Sequence, residues 1–355
     1  MEIINKRGGL CRTKAAIAGG RLKVGFIGGS ITNFSNYRSW TEHVIGHIMQ
    51  RYPKLRISVV NAGIGGTSSD YGAFRAERDI TSKSCDLVFV EYAVNDLGLD
   101  ANYRAKSREG LIRKLKNAGC DVVLVYTYSN PMYEEMMNEK IPSTVADFEV
   151  IAEHYNISSV WMGKYALDKV RNGLLRVDEW LPDGLHPAER GSLEYALAVC
   201  EYLDSEFVSE SAMPTPMPTP LYKNNLENCR AIPFDEINFA KPWRLRDNYQ
   251  PNIRNEYLDT CAVGARLKYE FNGTGTCILY MFGSKAADLY YSIDGQDMKP
   301  LPGNYKVEAW MGEQTWYRFA SLAEDLENGT HTCEIEVRST NLGSRCSIEL
   351  IGEYK

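Results

Sequence analysis

The chain predicts an α/β domain built on a parallel sheet, followed by an antiparallel β-sandwich. Three observations carry this. Apolar runs rich in β-branched residues alternate with longer amphipathic stretches over the first two hundred residues. A proline-rich break follows, and beyond it come short alternating segments punctuated by Asn-Gly and Asp-Gly. Strand, helix, strand at the first spacing gives right-handed βαβ units with both sheet faces covered. Short strands with tight turns give antiparallel pairing.

Taken in order, the strand candidates are 22–27, 56–60, 86–91 and 121–126, with a shorter one near 157–162, which makes a five-stranded sheet. Helical patterns lie between them at about 39–51, 69–81, 104–118 and 143–155, and a last one at about 188–205. The segment 211–220 carries Pro214, Pro216, Pro218 and Pro220, which can neither continue a helix nor donate to a sheet ladder, so it reads as an extended linker. The expected organisation is a first domain over 1–210, a linker over 211–222 and a sandwich over 223–355. In the last region 265–271 leads into Asn272-Gly273, 289–293 leads into Asp294-Gly295, and 277–282 and 331–337 are further strands.

Composition narrows the partners. The chain has 355 residues, 44% hydrophobic and 24% charged, with a net charge of -6. That balance disfavours nucleic acid and anionic membrane surfaces, which are held by clustered Lys and Arg. No apolar run reaches the ~18–20 residues of a bilayer span, and residues 1–9 lack the apolar core of a signal peptide, so a cytoplasmic location is expected. Nine cysteines at irregular spacings, with no CxxC pair, fit buried reduced thiols. Homo-oligomerisation is left open.

Because such sheets place sites beyond the carboxyl ends of their strands, the loops there matter most. Gly28-Gly29-Ser30-Ile31-Thr32 ends the first strand and leaves Ser30 at that edge. Gly and Ser are common in any strand-to-helix turn, and the segment has neither GxGxxG, nor Gly-Lys-Ser/Thr, nor the glycine two residues after Ser30 that a nucleophile elbow needs. Asn61 to Ser68 holds Gly65-Gly66, whose freed N–H groups can face developing negative charge. Asn95 ends the third strand with an amide donor, although Asn and Asp also cap helices there. Asp183-Gly184-Leu185-His186-Pro187 puts a carboxylate and an imidazole three residues apart before the last helix. A serine needs a base to take its proton, and the base a partner to hold its tautomer. The conjunction supplies each role once.

This set of segments resembles the SGNH, or GDSL-like, hydrolases. Ser30, a glycine of Gly65-Gly66, Asn95 and His186 correspond to the four lettered residues. The resemblance implies a three-layer α/β/α fold in which Ser30 is nucleophile, His186 base and Asp183 its partner. The N–H groups of Ser30 and Gly66 and the Asn95 amide would form the oxyanion hole. Gly66 is preferred to Gly65 because Thr67-Ser68 follows it. Two departures stand out: Gly29 replaces the usual Asp before the serine, and Ala93-Val94-Asn95-Asp96 replaces Gly-x-Asn-Asp. The Gly-Gly-Ser-Ile-Thr form is similar to bacterial carbohydrate O-acetylesterases whose catalytic domain precedes a jelly roll. Arg7-Gly8-Gly9-Leu10 and Phe74-Arg75-Ala76-Glu77-Arg78-Asp79 strengthen that similarity. It implies deacetylation of xylan- or mannan-derived oligosaccharides, without metal or cofactor. A sialate, peptidoglycan or lysophospholipid esterase, or an inactive carbohydrate-binding protein, is the alternative. Trp180 and Trp40 are expected to stack on sugar. His43 and His47 share a helix face but lack a third ligand, so they are expected to be surface histidines.

Overall fold

The computed structural model describes residues 2–33, 39–210, 216–247, 256–304, 316–338 and 344–355. They fall into two units, Met1–Glu227 and Asn228–Lys355.

The first unit runs β1 (Ile4–Asn5), α1 (Cys11–Ala18), β2 (Arg21–Gly28), α2 (Trp40–Arg51), β3 (Arg56–Gly63), α3 (Ser69–Asp79), β4 (Leu87–Glu91), α4 (Ala101–Asn117) and β5 (Asp121–Val125). It continues with α5 (Tyr133–Met137), α6 (Ser143–His154), β6 (Ser158–Val160), α7 (Met162–Arg171), α8 (Val177–Trp180) and α9 (Glu189–Phe207). The strand order is β1-β6-β5-β4-β2-β3. Strands β2 to β6 are parallel, as expected. The sheet has a sixth member: β1 pairs antiparallel with β6 through Ile4↔Val160 and Asn5↔Ser159. Two residues show no alternation, which is why the sequence hides this strand.

Every residue of β4 is buried, as a strand covered on both faces must be. Its Phe89 ring stacks on Phe26 of β2 at 5.2 Å. From β2 the chain turns to β3 on one side and then crosses to β4 on the other. The loops leaving β2 and β4 therefore run in opposite directions, which makes the carboxyl edge between them the switch point where such sheets bind ligands.

The expected linker needs correcting. Residues 211–215 lie outside the described residues, but 216–227 belong to the first unit rather than to a free connection. The Glu109 carboxylate accepts the N–H groups of Leu221 (2.5 Å) and Tyr222 (2.9 Å). Arg113 donates to the Pro218 carbonyl at 2.8 Å and to Glu227 at 2.5 Å. A proline segment has few N–H groups but all its carbonyls, so α4 ties it down with one donor, Arg113, for a proline carbonyl and one acceptor, Glu109, for the N–H groups that follow the last proline. The boundary thus follows Glu227, not residue 222.

Among the described residues, the strands of the second unit pair antiparallel. Its strands are β7 (Arg230–Ala231), β8 (Arg244–Asp247), β9 (Glu256–Thr260), β10 (Arg266–Gly273), β11 (Gly275–Phe282), β12 (Leu289–Ile293), β13 (Lys299–Leu301), β14 (Trp316–Ala323), β15 (Gly329–Val337) and β16 (Cys346–Tyr354). One sheet is ordered β10-β15-β12-β13 and the other β14-β11-β16-β9-β8, with β7 on β16. Burial alternates residue by residue along β10, so Leu267, Tyr269 and Phe271 point inward. They share a core with Ile335 and Val337 of the same sheet and with Ile278, Tyr280, Ile348 and Ile351 of the other, which makes the unit a sandwich. Asp294 and Gly295 both take positive φ (51° and 71°), as an Asp-Gly hairpin turn requires.

Candidate active site

Four loops meet at the carboxyl edge of the parallel sheet. After β2 the backbone passes through Gly29 to Ser30, and the Asn33 N–H closes the turn on the Gly29 carbonyl at 3.0 Å. Gly29 is required by close approach. A Cβ there would lie 2.1 Å from Asn95 Oδ1 and 2.7 Å from Nδ2, so the Asn95 carboxamide occupies the space beside the backbone where other side chains would begin. Asn95 opens the short helical turn after β4. Its carbonyl accepts the Ser68 hydroxyl at 3.1 Å, while Asp96 Oδ1 accepts the Ser69 N–H at 2.8 Å, which pins the loop after β4 to the start of α3.

The loop after β3 extends the ladder by one bond, Ile64 N–H to the Gly28 carbonyl at 3.0 Å. Its glycine pair then lies against the serine turn: a Cβ on Gly65 would be in ordinary contact, 3.5 Å, with the Ser30 Cβ. Gly66 takes φ 71°, which redirects the chain towards α3. The Thr67 hydroxyl fastens the bend on the Ile64 carbonyl at 2.7 Å.

The loop between α8 and α9 carries the ionisable groups. Asp183 Oδ1 accepts the N–H groups of Leu185 (2.9 Å) and His186 (2.7 Å), an Asx turn that fixes the carboxylate relative to the imidazole. Gly184, at φ 79°, leaves room for the Asn130 side chain, whose Nδ2 would be 2.1 Å from a Cβ there. His186 Nδ1 lies 2.7 Å from Asp183 Oδ2, and His186 Nε2 lies 2.8 Å from Ser30 Oγ. A carboxylate accepts, so Nδ1 carries the hydrogen and Nε2 keeps its lone pair for the serine proton. Burial pushes Asp183 up, but the His186 ring and the two backbone N–H donors outweigh it, and the carboxyl titrates below its ordinary range. Such a relay can activate a hydroxyl.

Two expected residues are not at this surface. Trp40 is fully buried, edge-on to Phe26 at 5.3 Å and to Phe89 at 6.1 Å. Trp180 is 2% exposed, packed on Tyr128 at 4.8 Å and on Tyr195 at 6.3 Å. Neither ring presents a face to a sugar; both fill the layer between sheet and helices, where a large apolar side chain is most stabilising. On α2, His47 lies 3.0 Å from Asp204, which also takes Arg51 at 2.8 Å, so its partner is an ion pair.

Two buried charged residues stand behind the site. Glu91, the last residue of β4, accepts the hydroxyls of Thr127 (2.8 Å) and Thr32 (3.1 Å) and the Gly29 N–H. Burial raises its carboxyl, opposed by those three donors. Arg75 of α3 has a side chain with no exposure at all. The available signals were a carboxylate closing an apolar strand and an arginine inside the apolar stripe of an amphipathic helix.

Residues 26–192 match the GDSL-like lipase/acylhydrolase family, a span that begins in β2 and closes after His186. No curated protein matches the chain. Among solved structures the chain is similar to a two-domain esterase active on acetylated mannans, crystallised with mannopentaose, at 25% identity over 99% of this chain and 96% of that one, with a TM-score of 0.84. A second structure of a two-domain esterase active on acetylated mannans matches at 24% identity and TM-score 0.84, over 99% and 97%. A catalytic mutant of an acetylxylan esterase from Geobacillus stearothermophilus matches at 22% identity over 53% of this chain and 97% of that one, with a TM-score of 0.45. The span 26–192, which carries Ser30, Asn95, Asp183 and His186 at the edge of the expected α/β sheet, is thus a GDSL-like lipase/acylhydrolase domain within the first unit.

Proposed function

We propose that the protein is a serine O-acetylesterase that removes acetyl groups from xylan- or mannan-derived oligosaccharides. The observation that carries this is the hydrogen-bonded chain Ser30–His186–Asp183 at the switch point of the sheet. Ser30 Oγ attacks the acetyl carbonyl as His186 Nε2 takes its proton, and Asp183 stabilises the imidazolium that forms. The oxyanion is held by the Ser30 N–H, the N–H of Gly66 in the Gly65-Gly66 bend and the Asn95 amide. His186 then protonates the departing sugar alkoxide, and activates a water that releases acetate and restores Ser30. No step uses a metal or cofactor. The substrate class is supported by the two-domain similarity to an esterase active on acetylated mannans, which extends over nearly the whole chain.

The test is acetate release from acetylated manno- and xylo-oligosaccharides, with p-nitrophenyl acetate as a small ester. Wild type should act on both classes. Ser30→Ala should fold normally and lose several powers of ten in kcat. Wild-type turnover by Ser30→Ala would end the serine mechanism. Turnover of p-nitrophenyl acetate without acetate release from either sugar would keep the mechanism and move the substrate elsewhere.

A further inference from the structure

We infer that Arg75 is a positioning residue of this site, setting the distance between nucleophile and oxyanion donors; the inference rests on the serine-esterase reading above. The Arg75 side chain is wholly buried, a costly place for a cation; its two terminal nitrogens are satisfied, while Nε has no hydrogen-bond partner among the described residues. Nη2 donates to the Gly28 carbonyl at 3.2 Å and to the Tyr92 hydroxyl at 2.7 Å. Nη1 donates to the Ala62 carbonyl at 2.5 Å and to Asp79 Oδ2 at 3.0 Å.

Three of these four acceptors mark the carboxyl ends of three adjacent strands. Gly28 ends β2, two residues before Ser30. Ala62 lies one residue from the end of β3, three before Gly65. Tyr92 follows β4 directly, three before Asn95. One planar fork therefore ties together the three strand ends whose loops would supply nucleophile, glycine turn and amide. Glu91 acts from the other side of the same turn, accepting the Gly29 N–H while Arg75 holds the Gly28 carbonyl. Neutral packing needs only an apolar side chain of similar volume. Holding three strand ends in fixed relation needs a rigid fork, which a lysine ammonium cannot reproduce.

The expected signature is a loss in chemistry rather than in binding, because a misplacement of about 1 Å can cost on the order of 10²-fold in rate. The experiment uses full-length Arg75→Lys and Arg75→Met with p-nitrophenyl acetate, under conditions where urea titration shows each variant folded. The kcat should fall by about 10- to 100-fold with KM within about threefold. Combined with Asn95→Ala, the loss should be far smaller than the product of the two single losses, since both act on one oxyanion geometry. A mere decrease in folded fraction would instead multiply.

Ser30→Ala runs alongside. If Ser30→Ala retains turnover, the esterase reading fails and this inference with it. If Ser30→Ala is inactive while folded Arg75→Lys keeps kcat within about twofold, or its loss multiplies with that of Asn95→Ala, the positioning inference alone is overturned. Should neither Arg75 variant fold, Tyr92→Phe removes one acceptor of the same fork and is read by the same kcat-against-KM split and the same double variant. A Tyr92→Phe kcat within twofold of wild type overturns the inference as well.

Discussion

Gly29→Ala separates steric from conformational effects at this site. Gly29 is not among the residues at positive φ, so alanine can take its backbone conformation without strain. The added methyl instead meets the Asn95 carboxamide, at 2.1 Å from Oδ1, 2.6 Å from Cγ and 2.7 Å from Nδ2. Ordinary carbon contact begins near 3.5 Å, so the amide must withdraw by roughly 1.4 Å. That takes a donor out of the 2.7–3.1 Å window in which it stabilises an oxyanion, a loss of about 2.7–4 kcal/mol or 10²- to 10³-fold in kcat. Overpacking should lower stability by only about 1–3 kcal/mol. Steady-state kinetics with p-nitrophenyl acetate on the folded variant gives the first figure and urea unfolding the second. In Asn95→Ala the obstructing amide is gone, so adding Gly29→Ala should change kcat little further. A Gly29→Ala enzyme with kcat within twofold of wild type would refute both the steric reasoning and the donor role of Asn95.

Two further outcomes follow from buried groups. Asp96 and Arg108 form a fully buried ion pair at 2.7 Å, and Asp96 also accepts the Ser69 N–H. Asp96→Ala should therefore lower unfolding free energy by about 3–5 kcal/mol in urea titration, and a cost below ~1 kcal/mol would show that the pair is not satisfied as described. Cys261 is exposed and Cys11 half-buried, whereas burial pushes the Cys85 thiol up to about 11 and those of Cys120, Cys200 and Cys333 to about 12. Thiol labelling near pH 8, located by peptide mass spectrometry, should modify Cys261 first and leave those four unmodified until the chain unfolds.

The sequence by itself determined the α/β-then-sandwich organisation and the catalytic candidates, because both are encoded locally. The parallel strands announce themselves as β-branched runs such as Val122-Val123-Leu124-Val125, and Asp183 and His186 sit three residues apart, so one turn suffices to pair them. Glycines at strand ends marked the loops that would approach Ser30 for the same reason. What depends on which surfaces meet was decided only by the tertiary structure. Trp40 and Trp180 carry no local sign of burial; the layers that close over them do that. The strand pair Ile4–Asn5 is too short to show a period, and the proline segment gave no sign that Glu109 and Arg113, more than a hundred residues earlier, would hold it. The order β4-β2-β3 likewise exists only in the assembled sheet. It alone brings Gly28, Ala62 and Tyr92 within reach of one guanidinium, because hydrogen bonds of that kind depend on distance in space and not on separation along the chain.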